Sequence, residues 1–332
     1  MAHSPFRFFK RISNLLVRSQ LFLRWKNSRR FPGLGIADGV SLEVFGTLTY
    51  GQGCGIGVAS AVFIPGDASL TLGDGCYIGR NVEICPSHDI KIGADTSLQD
   101  RCTILGSVSV GRHCLFGSNV YVSSGQHYFD LYPSWLIRDQ DNAVALDKNM
   151  REQHSKTVTI DDDCWIGTNT VIMAGVQVGR GAIIGANSVV NTDVPPYAVI
   201  AGAPAKLLRR RLEYLPPIRI NYSNEKDWPY FHAGFQLKQA EIEKYSKYGG
   251  IAALGDFSIS LNYSVANELH LVVKTLTQNE CCIIWEEKKY SVSDSFHEIV
   301  LPLSDAVRQT NKLEIKQNAP HNTLIICEAW VM

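Results

Sequence analysis

The chain has 332 residues, 45% hydrophobic and 19% charged, with basic and acidic side chains balanced at a formal net charge of zero. This describes a globular protein with room for two domains, and the balance argues against a whole-protein nucleic-acid binder. No apolar run approaches the roughly 18 residues of a spanning helix and no signal-peptide core is present, so the expected location is cytoplasmic.

Residues 1–34 come first. Arg7, Lys10, Arg11, Arg18, Arg24, Lys26, Arg29 and Arg30 precede any acidic residue, and Phe8, Phe9, Ile12, Leu15, Leu16, Phe22 and Leu23 recur at helical spacing. The pattern predicts a basic amphipathic helix. It either lies on the anionic inner face of a membrane through residues 1–30 or packs across its own domain or a neighbouring subunit. The run GQGCGIG at 51–57 lacks the helix and GK[ST] ending of a phosphate loop. It reads as a glycine-rich first coil.

From Leu72 a six-residue period takes over. Leu72, Ile78 and Ile84, then after a two-residue slip Ile92, Leu98, Ile104, Val110, Phe116 and Val122, are all apolar. A second block carries Ile160, Ile166, Ile172, Val178, Ile184 and Val190. Four places further on sits a small or β-branched residue, among them Cys76, Thr96, Cys102, Cys114, Cys164, Thr170, Ala182 and Ser188. The third place is mostly Gly, Asn or Asp, which tolerate left-handed backbone. Six fits neither a helix nor one long strand, because each corner resets the strand alternation. Each hexad is a short strand plus a corner, and three hexads close one triangular coil. The regularly placed cysteines are therefore reduced core residues, without the spacing of a zinc site.

The rhythm breaks at SSGQHYFD and resumes only at Ile160, leaving an insertion over 123–159. A long irregular insertion in a compact repeat is usually functional. His127 stands at its base, where the repeating scaffold gives way to the loop. A metal site built on His88, His113 and His127 is disfavoured, because His113 occupies an outward corner and His88 the slip; no metal is expected. Asn81 and Asn119 share a corner slot and read as turn formers.

The hexads, together with GQH, the WIG tripeptide at 165–167 and the AGAPAK ending at 201–206, resemble the hexapeptide-repeat acyltransferase family over roughly residues 70–211. Its members include CoA-dependent O-acetyltransferases of the galactoside, xenobiotic and surface-polysaccharide type. The resemblance implies an all-β fold, a left-handed parallel β-helix over 35–215, and a homotrimer with sites between neighbouring subunits. It implies acetyl-CoA as donor and makes His127 the general base, with Gln126 as a departure from the family's motif. Thr168 would supply a backbone oxyanion donor and Trp165 a wall of the thioester channel, against an ordinary outward placement of both. Ala186, Ala201, Lys206 and Arg209 would hold the cofactor, Lys206 and Arg209 near its phosphates; Arg209 to Arg211 read equally well as a solvated helix face.

Prolines 216 and 217 mark a linker, and from residue 257 short alternating runs such as FSISLNYSV and ELHLVVKTL predict an antiparallel β-sandwich-like domain over 216–332. It either binds carbohydrate, through Trp228, Tyr230 or Trp285 if exposed, or caps the prism or an oligomer. The expected activity is transfer of acetyl from acetyl-CoA to a sugar hydroxyl, on a surface polysaccharide or its precursor. A small-sugar or antibiotic acceptor, a nucleotide amino sugar, and a non-catalytic glycan-binding scaffold remain alternatives.

Overall fold

The structure, a computed structural model, describes residues 24–147, 149–150, 156–232, 234–263, 266–276, 281–304, 313–318 and 323–332. The chain divides into two compact units, Met1–Glu213 and Tyr214–Met332. Most of the amphipathic helix expected over residues 1–34 lies outside the described residues; residues 24–30 are helical. Among the described residues no helix is long and apolar enough to cross a membrane.

The first unit is a parallel β-solenoid of about eight turns. One face is a ladder of two-residue strands, running Gly35–Ile36, Gly55–Ile56, Tyr77–Ile78, Ser97–Leu98, Leu115–Phe116, Trp165–Ile166 and Ile183–Ile184 to Ala198–Gly202. The second face passes through Ser41–Val44, Ala61–Ile64, Tyr121–Ser123, Val171–Ile172 and Val189–Val190, and the third through Thr47–Tyr50, Ser69–Leu72, Val158–Ile160 and Gln177–Val178. Glu83–Ile92 and Thr103–Val110 are long enough to turn the corner and serve both faces. The hexad apolar residues from Leu72 to Val190 all point into one core. That column carries most of the hydrophobic stabilisation.

The small slot has a second reason for its residue types. Its side chain donates along the solenoid to a corner glycine carbonyl of the next coil: Cys76 to Gly93, Thr96 to Gly111, Cys102 to Gly117, Cys164 to Gly179 and Thr170 to Gly185. A small donor both fits and satisfies a buried acceptor. The corner slot adopts positive φ at Asn81, Asp95, Asn119, Asp163, Asn169 and Asn187 as expected, and also at Arg101 and His113. Asn119, Asn169 and Asn187 form a side-chain ladder with bonds of 2.9 and 3.0 Å, and the Arg101 Nε donates into it at 2.7 Å. Asn119 is thereby occupied as a structural residue.

Both ends of the solenoid are covered, which protects its open edges. At the start Phe31 enters the core and Arg30 donates to the Val44 carbonyl at 2.8 Å. At the finish Ala198–Gly202 turns back on itself into the antiparallel strand Ala205–Arg210. Arg209 and Arg210 thus lie on a strand rather than on the helix face considered above. Arg211 donates to Asp163 at 3.2 Å and to the Gly181 carbonyl at 2.9 Å, and its guanidinium lies over the Tyr197 ring.

The second unit is antiparallel throughout. One sheet holds Arg219–Asn221, Ile251–Leu254, Glu268–Thr275, His297–Pro302 and Thr323–Val331; the other holds Phe257–Ile259, Cys281–Trp285, Lys288–Val292 and Leu313–Gln317. Leu269, Leu271 and Val273 of the first sheet share a core with Ile283, Leu313 and Ile315 of the second. Trp285 and Tyr230 belong to that core, and Trp228 Nε1 donates to the Tyr222 carbonyl at 2.7 Å. Trp285 and Tyr230 are thus not available to stack on sugar rings, because their apolar surface closes the domain.

Candidate active site

The coil register breaks after Ser123 and resumes at Val158. The insertion leaves at a corner where Gly106, with φ of +88°, makes room for Ser124, whose Oγ accepts from the Ser107 N–H at 2.7 Å. Its neck is fastened by Lys156 Nζ, which donates to Gln126 Oε1 at 3.3 Å. The residue that departs from the family motif therefore ties the two ends of the insertion together.

Within the insertion, residues 137–146 form a helix, Ile137–Leu146, and Asp141 on that helix reaches His127. Asp141 Oδ2 lies 2.7 Å from His127 Nδ1, and Asp141 Oδ1 accepts from the Tyr128 N–H at 2.9 Å. The Tyr128 amide and then the His127 ring hold the Asp141 carboxyl below its ordinary value. An ionised carboxylate only accepts, so Nδ1 carries the proton and the neutral ring keeps its lone pair on Nε2. This is the arrangement a general base requires. The His127 side chain is 82% exposed on the single chain. Sequence reasoning missed Asp141; the signal available was an acidic residue within the aromatic and charged run that follows His127.

Thr168, Trp165, Ala186, Ala201, Lys206 and Arg209 lie on one face of the solenoid and its adjoining edge. Trp165 is 55% exposed and sits in register between Leu115 and Ile183; Ile183 is followed by Val199, and Val199 pairs Arg209. Along the edge, Gly117 stacks on Thr168, Gly167 on Ala186 and Gly185 on Ala201 so closely that a Cβ on any of these glycines would meet the next coil within 2.8 Å. Ala201 then pairs Lys206. At about 4.8 Å per coil, this narrow strip of backbone and small side chains runs on the order of 14 Å from Gly117 to Ala201. It ends among the cations of the Ala205–Arg210 strand. Gly167 N–H donates to Ile184 and Asn169 N–H to Ser118, and the Thr168 N–H between them makes no ladder bond among the described residues.

His127 is not on that strip. Thr168 precedes the strand Val171–Ile172, which lies beside Tyr121–Ser123, and His127 leaves from the far end of that same face.

Other proposed chemistry finds less support in the geometry. His113 Nδ1 lies 3.6 Å from Asp95 Oδ2, and among the described residues no three His, Cys, Asp or Glu side chains converge as a metal site. Burial pushes the Cys76 thiol up to about 12 and the Cys102 thiol up to about 11, far from nucleophilic thiolates.

The bacterial transferase hexapeptide family, described as six repeats, matches residues 157–192, and the hexapeptide repeat of succinyl-transferase matches residues 107–125. The two matches flank the insertion. A protein of Escherichia coli K12 named as a lipopolysaccharide-biosynthesis O-acetyl transferase is 34% identical over 104 residues, covering 31% of this chain and 50% of its own. A chloramphenicol acetyltransferase of Escherichia coli is 33% identical over 106 residues, with the same two coverages. The chain thus spans about half the length of these curated relatives. Among solved structures, a hexapeptide-repeat acetyltransferase of Vibrio cholerae, in complex with acetyl coenzyme A, is 28% identical at a TM-score of 0.32, covering 42% of this chain and 70% of its own. The chain thus carries hexapeptide repeats on both sides of the insertion and is similar over those coils to curated acetyltransferases.

Proposed function

We propose that this protein is an O-acetyltransferase that moves acetyl from acetyl-CoA to a sugar hydroxyl, on a surface polysaccharide or its precursor. The observation that carries the reading is the His127–Asp141 pair, an imidazole whose Nδ1 lies 2.7 Å from a carboxylate oxygen, which leaves Nε2 to take a proton. The relative named for lipopolysaccharide biosynthesis supports the acceptor class.

The residues fit such a donor. The strip from Gly117 to Ala201 has no side chain larger than Thr168 to obstruct an extended pantetheine arm, and Lys206 and Arg209 offer cations to phosphates. His127 Nε2 takes the acceptor's hydroxyl proton as its oxygen attacks the thioester carbonyl. The Thr168 N–H donates to the oxyanion that forms. A carbon–oxygen bond is made, the carbon–sulfur bond breaks, and the imidazolium returns its proton to the departing thiolate. Direct transfer accords with thiols that burial keeps protonated. Because His127 and Thr168 stand on different edges of one chain, the productive pair would come from two copies in a homotrimer, each copy lending its insertion to the next.

The chloramphenicol acetyltransferase relative favours a second reading, a small-molecule hydroxyl. Mass spectrometry of surface oligosaccharides and of chloramphenicol after incubation with acetyl-CoA separates the two. The expected result is one added acetyl on the oligosaccharide, removed by mild alkali as an ester. An alkali-stable acetyl would mean amine transfer, and no acetyl on any acceptor would end the proposal.

A further inference from the structure

Gln140 is 1% exposed, a rare state for a glutamine. Both ends of its amide are spent on one turn of the insertion. Oε1 accepts from the Tyr132 N–H at 3.0 Å and Nε2 donates to the Trp135 carbonyl at 3.4 Å. The Trp135 N–H closes the same turn on the Tyr132 carbonyl at 2.8 Å. The turn stacks the Tyr132 and Trp135 rings, with centroids 4.4 Å apart and planes inclined by 23°.

Stacked aromatic rings ordinarily belong to a core, where each buries 150–250 Å². Here Tyr132 is 39% and Trp135 50% exposed. A buried amide thus holds a stacked aromatic pair partly in solvent.

The platform is registered to the base. Gln140 fixes the aromatic turn and Asp141, the next residue of the same helix, fixes His127. Consecutive Cα atoms lie about 3.8 Å apart, so one stretch of helix anchors both the aromatic turn and the base. A pyranose has an apolar C–H face and carries its hydroxyls at the rim. Seated by that face on an aromatic ring, it would present a rim hydroxyl to a neighbouring base, with the polar edge of the tyrosine beside it.

We infer that Tyr132 and Trp135 form the acceptor-recognition platform, taking the flat face of a pyranose and selecting cyclic sugars over open-chain alcohols. This rests on His127 acting as the acetyl-transfer base. The test assays full-length wild type, Trp135→Ala, Trp135→Phe and, as a control at the end of the same helix, Leu146→Ala. Acetyl transfer is measured to methyl β-D-galactopyranoside, maltose and open-chain sorbitol, with sedimentation velocity run on each protein. The expected result is a fall of at least ten-fold in the kcat/KM ratio of pyranoside to sorbitol for Trp135→Ala. Trp135→Phe should restore the ratio and Leu146→Ala should leave it unchanged. An unaltered ratio in Trp135→Ala, with wild type transferring to pyranosides, overturns this inference and leaves the acetyl-transfer reading standing. A sedimentation change in Trp135→Ala assigns the rings to a subunit contact and likewise overturns it. Absence of wild-type transfer to either pyranoside, while surface oligosaccharide is acetylated, overturns this inference alone; absence of transfer to the oligosaccharide as well removes both.

Discussion

Both oxygens of Asp141 are committed, one to the His127 ring and one to the Tyr128 amide. The carboxylate therefore fixes the tautomer of the imidazole and the path of the backbone that carries it. Asp141→Asn presents an amide where the ring nitrogen needs an acceptor, and rewards the tautomer with its proton on Nε2 instead. Steady-state acetyl transfer should be slower in Asp141→Asn than in wild type. The double variant with His127→Ala should be no slower than His127→Ala alone, since the two side chains act as a unit; additive losses would separate their roles. His127 stands out as a candidate in the sequence because it falls where a strict period stops. Asp141 was not, because the helix that delivers it turns only Gln140 and Val144 inward. With a polar residue at one of those two positions, the segment lacks an apolar stripe and reads as irregular chain.

The coils on either side of the insertion are joined by an interaction that the hexad pattern does not announce. Asp162 accepts from the Arg112 backbone N–H at 2.7 Å and pairs with its guanidinium at 3.1 Å, across 50 residues of sequence. Burial raises the Asp162 pKa, but the Arg112 charge and hydrogen bonds outweigh it and hold the carboxyl below its ordinary value. A carboxyl depressed on folding stabilises the fold above its unfolded pKa, about 3.9, and loses that contribution as pH falls through the folded value. Urea denaturation of Asp162→Asn should show a loss of about 1–3 kcal/mol at pH 7. The loss should shrink towards zero as pH is taken below the unfolded value, and a loss independent of pH would assign Asp162 another role. The prism itself was legible because its period repeats through every coil. The positive φ of Arg101 and His113 was not, since the coils above and below impose the corner whatever side chain occupies it. The cysteine slot was read correctly as small and buried, while its hydrogen bonds to glycine carbonyls required coil-on-coil register.

At the scale of the molecule, residue chemistry divides between two units. The solenoid carries the narrow strip and the insertion, and the second unit buries Trp285 and Tyr230 in its own core. The sandwich was legible from strand alternation such as Leu269, Leu271 and Val273; the burial of its aromatics was not, because alternation fixes which face a side chain takes and not whether a second sheet covers it. His127 is 82% exposed on the single chain, which accords with the proposal that a second copy completes the site. The measurement that bears most directly on the account is the rate of acetyl transfer at saturating acetyl-CoA by full-length His127→Ala against wild type, with sedimentation run on both. The account predicts unchanged assembly and a rate lower by roughly 10²–10⁴. Equal rates would contradict it.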